Sequence, residues 1–127
     1  MIQEHKRPKV LPSCTCKMPT GCGNAYVVIT FDVLGHPQET FVYNSKAGGC
    51  FACNSEAEGR LCSLFLRSEG DPHKIIKHLG GLTCANSHYG LLSCPAAIAR
   101  ALEEMIGDQT AAIPQAIKRV EETNESI

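Results

Sequence analysis

Two runs of alternating residues meet at a turn in the first half of the chain. Residues 25–32 put Val27, Ile29 and Phe31 on one side and Tyr26, Val28 and Thr30 on the other, the period-two signature of a strand. Gly35, His36 and Pro37 supply turn chemistry, and residues 38–44 alternate again with Phe41 and Tyr43 on one side. The two runs predict a hairpin. A lone hairpin is marginal in water, so the rest of the chain has to cover it.

The cover is predicted to be helical. After the break at Gly48 and Gly49, Cys53, Ala57, Leu61, Leu64 and Phe65 recur at helical spacing over residues 50–67, which predicts the helix that lies on the sheet. Asp71 and Pro72 start a short helix with Ile75, Ile76 and Leu79 on its apolar side, and Gly80-Gly81 ends it. Ser93 is an N-cap for a third helix, with Pro95 in its first turn and Ile98, Ala101, Leu102, Met105 and Ile106 as a stripe that stops at Gly107. Residues 110–120 predict a fourth, with Ala116, Ile117 and Val120 on one face, and the polar stretch from Glu121 frays. Residues 1–20, with three prolines, read as an extended arm. The expected fold is α+β, a small antiparallel hairpin sheet covered by three or four helices. It comprises an arm (1–20), a domain (21–107) and a C-terminal helix and tail (108–127).

A chain of 127 residues fits one domain, small enough that a bound metal could matter to its stability. With 43% apolar and 20% charged residues it is composed like a globular protein, not a disordered one. The net charge is -1 and no Lys/Arg cluster stands out, so nucleic acid is not expected as a direct ligand. No apolar stretch nears the roughly 20 residues of a membrane span, and residues 1–9 are polar where a signal peptide has its apolar core. The expected location is the cytoplasm. In a reducing compartment the eight cysteines point to metal binding or redox work, and a framework of four disulfides is the weaker reading.

Four cysteines fall at element ends: Cys22 between Gly21 and Gly23, Cys50 opening a helix, Cys84 in a loop and Cys94 opening the third helix. A helix start exposes unpaired N–H groups and a partial positive charge, which favours the thiolate form that metals bind at Cys50 and Cys94. Glycines beside Cys22 and Cys50 let the backbone approach a ligand. Four thiolates complete a tetrahedral zinc set or the ligand set of a small iron-sulfur cluster. Cys53 and Cys62 read as small core residues. Cys14 and Cys16 stay undecided, and His88, in the loop between Cys84 and Cys94, is the one histidine placed to approach the cysteines.

The segments TGCGNAYVVITFD, KAGGCFACNSEAEGRL, DPHKIIKHLGGLTC and SCPAAIARALEE, in that order, resemble the TSCPD domain at the C-terminal end of adenosylcobalamin-dependent ribonucleotide reductases. The cysteines these motifs carry are Cys22, Cys50, Cys84 and Cys94, and the resemblance implies a stand-alone relative with added arms. A more distant similarity is to iron-sulfur scaffold proteins of the IscU and SufU kind, where Cys22, Cys50 and Cys94 match three cysteine places; it implies an IscU-like fold. Where the family motif reads Thr-Ser-Cys-Pro-Asp, this chain has Leu92-Ser93-Cys94-Pro95-Ala96, so a carboxylate at 96 is missing.

The reductases run their radical chemistry in a large barrel domain that this chain is too short to form, so it is not expected to be an enzyme on its own. The expectation is an accessory module with zinc or an iron-sulfur cluster on Cys22, Cys50, Cys84 and Cys94. Its partner would be a protein, a redox enzyme or a ribonucleotide reductase. The alternative is an iron-sulfur electron-transfer or cluster-scaffold subunit. A thiol relay is weaker still: Cys14 and Cys16 form only a C-x-C pair, and Cys50-x-x-Cys53 starts a helix as ligands also do.

Overall fold

The structure, a computed structural model, describes residues 6–44, 49–107 and 112–126. Among these residues the chain forms strands β1 (Ser13–Thr20), β2 (Gly23–Phe31) and β3 (Pro37–Asn44), then helices α1 (Gly49–Arg67), α2 (Pro72–Leu79), α3 (Cys94–Gly107) and α4 (Ala112–Ser126). The strands make one antiparallel sheet in the order β1-β2-β3. The fold is α+β, as expected, with one strand more than the hairpin.

That extra strand replaces part of the arm. Cys14, Cys16, Met18 and Thr20 alternate with the exposed Ser13, Thr15, Lys17 and Pro19, and Cys16 pairs with Val27 across the ladder. Pro12 and Pro19 delimit the strand and do not break it, since an edge strand tolerates proline at its ends. Once cysteine is counted as a small apolar residue the alternation is regular. Cys16, 8% exposed, is core.

The inner face of the sheet carries Ala25, Val27, Ile29 and Phe31, and α3 lies beneath it with Ala97, Ile98, Ala101 and Leu102. Val27, Ile29, Ile98 and Leu102 are wholly buried. The third predicted helix, with its stripe, is therefore the one that covers the sheet.

Helix α1 does something else. Its buried residues are Ser55, Gly59, Cys62, Ser63 and Leu66, whereas Leu61, Leu64 and Phe65 of the predicted stripe are exposed, as is Cys53. The reason is the free edge of β3. The Thr40 N–H donates to Ser63 Oγ at 2.9 Å and the Ser63 hydroxyl reaches the Thr40 carbonyl at 3.1 Å, so one serine stands in for a neighbouring strand. Gly59 allows this approach: a Cβ there would lie 3.0 Å from the Thr40 carbonyl oxygen. A covered edge cannot pair with another chain. Apart from Leu66, small residues therefore face the sheet from α1, and Leu61, Leu64 and Phe65 point outward. The expectation that Cys53 is core fails for the same reason, while Cys62, 7% exposed, is core.

Helix α4 runs on through Glu121 to Ser126, where fraying was expected. The Asn124 side chain explains it, accepting from the Val10 N–H at 3.1 Å and donating to the Val10 carbonyl at 2.7 Å. Gly48 and Thr110 lie outside the described residues. On the outer face of the sheet, Glu39 is buried and satisfied: Arg7 Nε donates to it at 3.0 Å, the Thr30 hydroxyl at 3.0 Å, and Arg67 stands at 3.5 Å. No helix among the described residues is long and apolar enough to cross a membrane.

Candidate functional site

The β1–β2 turn places Cys22 at one end of the sheet. Its N–H donates to Thr20 Oγ1 at 3.2 Å, and the Thr20 hydroxyl donates to the Gly23 carbonyl, which closes a tight turn. Gly23 has φ +114°, a conformation that glycine adopts without a Cβ penalty.

The loop between α2 and α3 docks on this turn. The Leu92 N–H donates to the Pro19 carbonyl at 2.9 Å and the Gly21 N–H to the Leu92 carbonyl at 3.2 Å, extending the β1 edge by one parallel bridge. Gly21 is the point of closest approach, because a Cβ there would sit 2.1 Å from the Asn86 carbonyl oxygen. The glycine beside Cys22 thus admits another stretch of backbone. Within the loop, Cys84 is held in a turn: its N–H donates to Ser87 Oγ at 2.7 Å, and the Ser87 hydroxyl and N–H both reach the Cys84 carbonyl, at 2.9 and 3.0 Å.

Ser93 closes the loop and starts α3, as the sequence predicts. Its hydroxyl donates to the Leu82 carbonyl at 2.6 Å and accepts from the Ala96 N–H at 3.2 Å. Cys94 therefore enters the first turn of α3 facing the same end as Cys22. The two side chains are hydrogen-bonded, and Cys84 also acts on the Cys94 thiol.

The electrostatics differ from the expectation of a thiolate at a helix start. Burial, first of all, pushes the Cys94 thiol up to about 11, and Cys22, Glu58 and Cys84 add to the shift. The partial charge of the helix end is outweighed by desolvation and by acidic neighbours. Cys94 is therefore a neutral thiol at pH 7.

Cys22 is thus brought together with Cys84 and Cys94 at one end of the molecule, although 62 residues separate Cys22 from Cys84. Cys50 is exposed in the first turn of α1 and is not among the groups that act on Cys94. Among the described residues no three His, Cys, Asp or Glu side chains stand at the separations a metal ion needs. The donor chemistry suits a soft cation, but the side chains would have to close on it. His88 is exposed, its ring edge-on to that of Tyr89 at 4.8 Å.

One residue escaped the sequence reading. Glu58 lies on the buried side of α1, three residues after Ser55 and four before Cys62, and acts on both the Cys94 and the Cys62 thiols. The sequence carries no signal for it, because the buried face of α1 is not the one that its large apolar residues mark.

The family model of the TSCPD domain matches residues 3–106. No curated protein and no solved structure matches the chain, so no matching structure stands behind the expected likeness to IscU.

Proposed function

The chain belongs to the TSCPD-domain family, and on that premise we propose that it is an accessory module whose Cys22, Cys84 and Cys94 hold zinc or an iron-sulfur cluster, with a fourth donor from α1. Cys50 is the sequence candidate for that fourth place. The TSCPD domain is found in ribonucleotide reductase-related proteins, and the partner in this reading is such a reductase or another redox enzyme. The observation that carries the reading is the convergence of three cysteines from the β1–β2 turn, the α2–α3 loop and the start of α3.

Bound metal would tie the exposed loop to the sheet, contributing on the order of 10 kcal/mol as structural zinc does in small domains. Because the Cys94 thiol sits near 11 without metal, uptake releases protons and weakens as the pH falls. Docking of a partner is supported by the outward stripe of α1, where Leu61 is 67% and Leu64 48% exposed.

The test is zinc, iron and sulfide analysis with a visible spectrum on protein purified without air. One equivalent of zinc in a colourless protein supports the structural module. Iron with sulfide and visible absorption supports the cluster-bearing, electron-transfer form. Protein free of both metals overturns the reading.

A further inference from the structure

The fold gives most of its cysteines a place. Cys14, Cys16 and Cys62 pack in or against the core, and Cys22, Cys84 and Cys94 gather at one end. Cys50 and Cys53 are left, both exposed at the start of α1. Three residues apart in one helix, they lie on the same face. Helix geometry sets their Cα atoms about 5 Å apart, inside the roughly 4.4–6.8 Å that a disulfide spans. Cys62, the third cysteine of α1, is buried and stands about 13.5 Å further along the axis.

Cβ atoms at this spacing are about 5–6 Å apart, and a disulfide draws them to roughly 3.8 Å. The first turn of a helix can tighten that far, because its N–H groups make no intrahelical bonds. Such a link, exposed and under tension, is of the easily reduced kind that cycles, not the kind that braces a fold. The approach is open: a Cβ on Gly49 would meet nothing within 4 Å. From the pair, Ala57, Leu61 and Leu64 continue the exposed face of α1 as an apolar ridge on which a protein can rest.

We propose that Cys50 and Cys53 are a dithiol pair that reduces a disulfide in a protein docked on this ridge. One of the two sulfurs attacks a sulfur of the partner's disulfide, forming a mixed disulfide and releasing the first partner thiol. The other cysteine then attacks its neighbour's sulfur, which closes the Cys50–Cys53 bond and releases the second partner thiol. Two electrons and two protons pass to the partner, and a dithiol reductant reopens the pair by the reverse exchange. The inference does not need the metal reading, and it takes Cys50 away from the fourth metal place.

The experiment mixes the fully reduced full chain, without air and with no other reductant, with insulin as a protein carrying exposed disulfides. Remaining thiols are blocked by alkylation and the cysteine peptides weighed. Wild type is expected to lose two hydrogens from the peptide holding Cys50 and Cys53, while two insulin thiols appear. Cys53→Ser is expected to stop at a mixed disulfide between Cys50 and insulin. Cys22→Ser, which breaks the metal set, should behave as wild type. Cys50 and Cys53 recovered as thiols, or each carrying its own mixed disulfide, overturns the proposal. A link from Cys50 to Cys22, Cys84 or Cys94 also overturns it and returns Cys50 to the metal set.

Discussion

Beneath the sheet, Val27, Ile29, Ile98 and Leu102 are sealed from solvent, whereas at the cysteine end residues 80–86 are all exposed. That end is fastened by a few hydrogen bonds to Pro19, Gly21 and Ser93. This second region has little apolar contact of its own and draws its order from backbone bonds and close approach, the mark of a segment with low local stability. A ligand that ties such a segment down changes much there and little beneath the sheet.

The largest blow to the first region is Leu102→Ala. Removing a wholly buried leucine should cost about 3 kcal/mol, read as a lower denaturant midpoint, while the folded fraction keeps its metal stoichiometry. Gly21→Ala strikes the second region. Its new Cβ would collide with the Asn86 carbonyl, so the loop must shift, at about 2 kcal/mol. Metal affinity should drop by more than the Leu102 variant's. Equal loss of affinity in the two variants would mean that the cysteine end is not a separate unit.

A smaller effect concerns pH. Burial, then Glu58, pushes the Cys62 thiol up to about 11 from the ordinary 9.0, against a hydrogen bond with Thr40 that pulls the other way. The folded state therefore keeps a proton that the unfolded chain releases, and the stabilisation is complete below pH 9 and drains away as pH rises towards 11. Melting temperatures between pH 8 and 11 should fall for wild type and fall less for Cys62→Ala.

The packed region was the more legible of the two. Alternation from Val27 to Phe31, the cap at Ser93 and the stripe from Ile98 to Met105 are local patterns, and the structure keeps them. Strand β1 was hidden because its inward positions are Cys14, Cys16 and Met18 between prolines, a pattern that reads as polar and irregular until the cysteines are taken as core. The orientation of α1 was misread because its large residues face out: what fixes its phase is a tertiary need, Ser63 and Gly59 against the bare edge of β3, which periodicity does not encode. The cysteine positions at element ends were legible one by one. That Cys84 reaches the others depends on Gly21 meeting Asn86, a contact between segments 65 residues apart, and the orphaned carboxylate of Glu58 shows only when α1 is laid beside α3.

The most direct measurement of the central claim is cysteine-resolved alkylation followed by mass spectrometry, without air, with and without one equivalent of zinc. Joint protection of Cys22, Cys84 and Cys94 by zinc, with the exposed Cys53 still reactive, is the result this account predicts. Alkylation of Cys22, Cys84 and Cys94 at the same rates with and without the metal would contradict it.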